Sequence, residues 1–159
     1  MSRSRELIST LNLQPHPEGG WYREIHRAQA TVTRADGRTN RSALTVIYFL
    51  LERGQYGAWH VVASDECWQY LEGDPLDLLL FDAASDRRES IELGPITADR
   101  RSTAVVPPGV WQAARPKGDY TLVQCTVAPG FDFADFALLR DSPERAASES
   151  RLEDWAAMF

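Results

Sequence analysis

Gly54-Gln55-Tyr56-Gly57-Ala58-Trp59-His60-Val61-Val62-Ala63-Ser64-Asp65-Glu66-Cys67-Trp68-Gln69-Tyr70-Leu71-Glu72-Gly73 is the stretch on which the fold turns. Gly54 and Gly57 mark a turn. Two strand-like runs follow, Trp59–Val62 and Glu66–Leu71, and Gly73-Asp74-Pro75 ends the second. Side chains two apart on a strand share a face. His60 and Val62 therefore lie on one face of the first run, and Glu66, Trp68 and Tyr70 on one face of the second. If His60 and Glu66 point inward, Trp68 and Tyr70 follow them, while Trp59 and Cys67 point away.

Upstream, Ala43–Leu51 is the most apolar and β-branched run and reads as a central strand; its nine residues are half of what a membrane span needs. Trp21–Arg27 alternates like a strand, and Asp36-Gly37 predicts a type I′ hairpin turn. Downstream come Leu76–Phe81, Arg88–Leu93, Thr103–Val106, Val110–Arg115 and Tyr120–Val127, separated by Asp-, Gly- and Pro-rich turns. Nine or ten short strands so punctuated predict an all-β sandwich or barrel. Leu7, Ile8 and Leu11 at helical spacing predict a helix over about 3–11. Ser142 as cap, Pro143 at the first position and Leu152, Trp155 and Ala156 beyond predict a second over about 143–158. No repeat or linker divides the chain, so residues 1–159 read as one domain with a barrel core over about 20–139.

The 159 residues, 43% hydrophobic and 25% charged, fit one globular domain and exclude disorder, collagen or coiled coil for the whole chain. A net charge of −6 without a dense Lys/Arg cluster argues against a nucleic-acid partner. Met1–Thr10 is polar and lacks the apolar core of a signal peptide. Cys67 and Cys125 lie far apart and read as free thiols in a reducing cytoplasm, more inert than nucleophilic; no membrane partner is expected. The three histidines, His16, His26 and His60, leave no paired Cys/His spacing of a structural zinc site.

The skeleton Gly54, His60, Val62, Glu66, Gly73 resembles the first cupin motif. Pro107-Pro108-Gly109-Val110-Trp111-Gln112 resembles the second, with Gln112 where a histidine is expected and Arg101 where a glycine is expected. A closer resemblance, to the DUF985 or cupin-5 family, is carried by five segments in order. They are His16-Pro17-Glu18-Gly19-Gly20-Trp21-Tyr22-Arg23-Glu24, Ile47-Tyr48-Phe49-Leu50-Leu51, Ser64-Asp65-Glu66-Cys67-Trp68, Val106 to Gln112, and Val127-Ala128-Pro129-Gly130-Phe131. They run from about Leu7 to about Leu139. The resemblance implies a double-stranded β-helix, the jelly roll of sugar-nucleotide epimerases and germins, with a short helix at each end. It also implies a metal frame of two histidines and a glutamate from the first motif and a histidine from the second. This chain fills that frame with His60, Val62, Glu66 and Gln112. Val62 cannot ligate, and a Gln112 carbonyl oxygen suits hard cations better than zinc or copper. The expectation is therefore no cofactor. A divalent metal on His60, Glu66 and Gln112 is the alternative, and nothing in the sequence places His16 or His26 beside them.

Without a metal, His60 beside Glu66 reads as an imidazole–carboxylate pair, the carboxylate fixing the tautomer and raising basicity. This resembles the His–Asp dyad of metal-free epimerases, where a tyrosine returns the proton; Tyr70, Tyr48 or Tyr22 would take that part. Trp68 and Gln112 would wall the pocket. For Glu18-Gly19-Gly20 two readings stay open. One is a pocket rim in which Glu18, Tyr22 and Arg23 meet a ligand, Arg23 holding a carboxylate or phosphate. The other is a tight turn into the first strand with Arg23 in solvent. The function so read is binding of a small polar molecule, sugar-like or carboxylated, with isomerisation or epimerisation by His60 and Glu66. A metal-dependent cupin enzyme, a non-catalytic binder and a barrel filled by its own side chains are the competing readings. The outward Trp59 and Trp111 call for a cover, either a second subunit, hence an expected homodimer, or the terminal helices.

Overall fold

The computed structural model describes residues 2–152 together with Trp155 and Met158. Helix α1 (Arg3–Thr10), capped by Ser2 accepting from the Arg5 amide, leads into the strands. These are β1 (Gln14–Pro15), β2 (Trp21–Arg27), β3 (Thr31–Val32), β4 (Arg41–Ser42), β5 (Thr45–Glu52), β6 (Gly57–Val62) and β7 (Asp65–Gly73). The rest are β8 (Leu76–Asp82), β9 (Arg87–Leu93), β10 (Thr103–Val106), β11 (Trp111–Pro116), β12 (Tyr120–Ala128) and β13 (Phe136–Leu138), before α2 (Arg145–Glu149). A six-stranded sheet, β1-β2-β5-β12-β7-β10, faces a five-stranded sheet, β13-β6-β11-β8-β9, and all their ladders are antiparallel. The expected double-stranded β-helix with a short helix at each end is present.

Alternation decides what each strand gives to which side. β5 sends Thr45, Ile47, Phe49 and Leu51 between the sheets, while Leu50 and Tyr48 lie outside under α1 with Leu7, Leu13 and Leu122. One end of the interior is solid with Leu76, Leu78, Leu80, Leu93, Val106 and Val123. The other end is open and holds the cavity described below. The barrel is thus only half filled by its own side chains.

Three expectations are corrected. Of the Asp36-Gly37 pair only Gly37 has a positive φ, 84°, so the turn is not type I′ and the loop joins strands of just two residues each. The helix predicted over 143–158 is the shorter Arg145–Glu149, and Ala156 of its apolar stripe lies outside the described residues. Ser142 instead ends the single-turn helix Leu139–Asp141. Of the two covers expected for Trp59 and Trp111, the chain itself supplies one, through Leu139, Leu152, Trp155 and Met158. β1 and β13 were invisible in the sequence, being too short for a period to show. Among the described residues no helix is long and apolar enough to cross a membrane.

Candidate functional site

Between the sheets lies a cavity of 480 Å³. β6 contributes His60 and Val62, β7 Glu66 and Trp68, β5 Thr45, Ile47 and Phe49, β12 Cys125 and Val127, and β2 Tyr22, Glu24 and Arg27. His16 and Glu18 enter from the segment before β2. Phe131, Asp132, Phe133 and Phe136 close the mouth.

The position of Glu18 follows from its neighbours. The His16 amide donates to the Gly20 carbonyl and the Gly19 amide to the His16 carbonyl, each at 3.0 Å, so the segment folds on itself. It docks on β6 through the Ala58 amide, which donates to the Glu18 carbonyl at 2.8 Å. Gly19 (φ 112°) and Gly20 (φ 70°) make that docking possible. A Cβ on Gly19 would stand 2.4 Å from the Tyr56 carbonyl oxygen, and one on Gly20 2.7 Å from that of Leu50. The glycines serve approach to neighbouring strands, and Glu18 is delivered into the cavity.

His60 Nδ1 lies 2.8 Å from the Ala58 carbonyl oxygen and 3.2 Å from Glu18 Oε2. A carbonyl only accepts, so Nδ1 carries the proton and Nε2 keeps its lone pair. His16 is the reverse. Its Nδ1 accepts from the Glu18 amide at 3.3 Å and lies 3.6 Å from Glu18 Oε2, so its proton sits on Nε2. One glutamate therefore stands between two imidazoles of opposite tautomer. The pair predicted as His60 with Glu66 is His60 with Glu18; this corrects the assignment of the orienting carboxyl. Glu66 belongs to another chain of bonds. Trp68 Nε1 donates to Gln112 Oε1 at 2.8 Å, and Gln112 Nε2 donates to Glu66 Oε2 at 2.6 Å. The indole can only donate, which fixes the amide orientation. The Cys125 thiol also hydrogen-bonds Glu66.

Burial sets the charge states. It pushes Glu66 up to about 7, against the opposing bonds from Gln112 and Cys125. It drives Glu18 well above the ordinary carboxyl range, with the neighbouring Glu66 charge adding to it. It lowers His60 to about 4, offset by the bond to Ala58, and His16 to about 3, helped by nearby His60. Between about pH 4 and pH 7 the inner end therefore holds a protonated Glu66 and two neutral imidazoles, with burial also favouring the uncharged form of Glu18.

The other predicted residues divide between the cavity wall and positions away from it. Tyr22 and Trp68 line the cavity, with the His16 ring 4.5 Å from that of Tyr22 and perpendicular to it. Gln112 is buried behind Glu66. Tyr48 packs outside the sheet under α1, and Arg23 donates to the Leu11 carbonyl at 3.0 Å. Each is one residue from a cavity residue, and alternation puts it on the opposite face. Tyr70 sits at the far end, its hydroxyl donating to the Gly73 carbonyl at 2.7 Å, where the pairing of β7 with β12 shifts register. None of these three meets His60. His16, Cys125, Glu24, Arg27 and the Phe131–Phe136 mouth were not assigned from sequence. The Val127–Phe131 motif was the one signal pointing to the mouth. Arg41 binds Asp135 at 2.8 and 3.1 Å and Arg38 binds it too, which pins that loop and holds the Asp135 carboxyl down at about 2.

The metal frame does not fit. Val62 offers no donor atom. Gln112 spends its oxygen on Trp68 and turns its N–H toward Glu66. Of the four frame positions only His60 Nε2 and the Glu66 carboxyl keep a donor atom for an ion. Among the described residues no three His, Cys, Asp or Glu side chains are grouped to hold an ion.

The chain is similar to solved structures along its whole length. A hypothetical protein from Leishmania major is 29% identical at a TM-score of 0.84, over 99% of this chain and 96% of its own. Protein SO0799 from Shewanella oneidensis is 28% identical at 0.86, over 99% and 97%. An oxalate decarboxylase from Bacillus subtilis shares the fold at 14% identity and 0.59, over 86% of this chain and 33% of its own. No curated protein matches by sequence. The model of the Cupin superfamily (DUF985) matches residues 5–139, and with the jelly roll and its half-open barrel this places the chain in that family.

Proposed function

We propose that the cavity binds a small carbonyl compound and moves a proton on it, as an isomerase or epimerase working by acid–base chemistry. The observation that carries this is the pair of opposite tautomers, His60 with a free lone pair and His16 with an N–H, in a cavity shared with protonated Glu66. His60 Nε2 takes the proton from the carbon beside the carbonyl. Glu18 Oε2, 3.2 Å from Nδ1, accepts from the Nδ1–H and holds the ring in the tautomer that leaves Nε2 free. The His16 Nε2–H donates to the carbonyl oxygen as it gains negative charge. Glu66, protonated up to about pH 7, returns a proton at the second position.

The test is proton NMR in D2O with a panel of aldoses, ketoses and small ketones. Exchange of the hydrogen beside the carbonyl is expected with wild type and should slow about a hundredfold or more in His60→Ala. Equal exchange in the variant sinks the reading, and tight binding without exchange makes the protein a non-catalytic binder.

A further inference from the structure

An anion entering this cavity finds no free positive charge. At the inner end the polar groups are two carboxyls and two neutral imidazoles. At the mouth, Arg27 is the one cationic side chain among the described lining residues, and it is taken. Its Nε and Nη2 bind the two carboxylate oxygens of Glu24 at 2.9 and 2.7 Å, and its Nη1 binds the Phe131 carbonyl at 3.1 Å. Asp132 adds a further carboxylate to the same rim. Arg23, the other arginine of that strand, faces away. A ligand carboxylate or phosphate stripped of water here would meet only neutral donors such as the His16 N–H, with no free cation to offset its full charge and with Asp132 beside it.

The mouth is also apolar on one side. Phe131, Phe133 and Phe136 pack edge to face with ring centres 5.0 to 6.1 Å apart, and Phe133 remains 56% exposed. Phe136 lies beside both imidazoles, its ring centre 6.3 Å from that of His16 and 5.6 Å from that of His60, so a ligand held there borders this cluster. Offset or edge-on contact with a second ring suits them, while a fully hydroxylated chain does not.

We infer that the ligand is an uncharged, ring-bearing carbonyl compound, and that Glu24 sets this preference by occupying Arg27. The inference rests on the proposed reading of the cavity as a carbonyl-binding site and narrows the ligand class within it. Carboxylated and phosphorylated substrates are disfavoured, and Glu24 acts as the specificity-determining residue by masking a guanidinium.

The experiment measures binding, by ligand-observed saturation-transfer NMR at pH 7.5, with acetophenone, benzoate and D-glucose as probes. Acetophenone is expected to bind wild type about tenfold tighter than benzoate, with D-glucose weaker than acetophenone. Glu24→Gln releases Arg27 and should shift the acetophenone-to-benzoate preference about fivefold or more toward benzoate; the double variant Glu24→Gln/Arg27→Gln should lose that shift. Benzoate or D-glucose binding wild type as tightly as acetophenone, a preference unmoved by Glu24→Gln, or no binding of any probe overturns the inference. Charge selectivity without isotope exchange sinks the catalytic reading alone. Isotope exchange together with a preference for benzoate sinks this inference alone.

Discussion

Glu66 and His60 sit in one cavity, yet burial moves their protons in opposite senses. A carboxyl whose pKa rises on folding binds its proton more tightly in the native state. It therefore stabilises at low pH and loses that contribution as pH climbs from its ordinary 4.5 to about 7. His60 and His16, held neutral, contribute above their ordinary 6.5 and lose it as pH falls toward about 4 and about 3. Between pH 4.5 and 6.5 the two trends oppose each other. The stability difference between wild type and Glu66→Gln isolates the first. It should fall by about 3 kcal/mol from pH 4 to pH 8, read by urea denaturation at each pH; a flat difference would show that Glu66 is not protonated in the native cavity. The same states predict a bell-shaped kcat/KM, rising near pH 4 with His60 and falling near pH 7 with Glu66. In Glu66→Gln the falling limb should vanish from whatever activity remains.

At the scale of elements, strand alternation did most to sort the site. β2 puts Tyr22 and Glu24 inside and Trp21 and Arg23 outside; β5 does the same with Phe49 and Tyr48. Pocket candidates at neighbouring positions were therefore mutually exclusive, a constraint legible in the sequence once the strand was drawn. The segment before β2 follows different physics, because its conformation is fixed by contact. Gly20→Ala would place a methyl 2.6 Å from Leu51 Cδ2 and 2.7 Å from the Leu50 oxygen at φ 70°. We expect a loss of about 2 kcal/mol or more, measured by thermal or urea unfolding. Because Glu18 rides on the same turn, isotope exchange should drop as well. Gly37→Ala, at a positive φ but with open space around it, should cost less, about 1 kcal/mol.

Across the whole molecule, the C-terminal segment packs on the outer face of the five-stranded sheet. Leu152 is fully buried against the cluster of Trp59, Phe81 and Trp111. Leu152→Ala is expected to destabilise by about 2–5 kcal/mol in urea denaturation, with the spread set by how far the segment can collapse into the gap. It should also leave the charge selectivity of the cavity intact, since that face lies on the opposite side of β6 from His60. A change of oligomeric state in this variant, followed by light scattering, would report whether the uncovered tryptophans find another copy.

The sequence by itself determined the longer strand runs, the shared face of Glu66 and Trp68, and the failure of Val62 as a ligand. These follow from local period and side-chain chemistry, which need no partner to be read. Only the tertiary structure decided which carboxyl meets His60, that His16 and Cys125 face the same space, and that Glu24 covers Arg27. Glu18 lies forty-two positions before His60 in the chain, and the contact exists because two glycines let one turn dock on β6. Distance in the chain carries no signal for such a meeting. Burial, which shifts the pKa of both carboxyls and both imidazoles, is a property of the folded barrel alone.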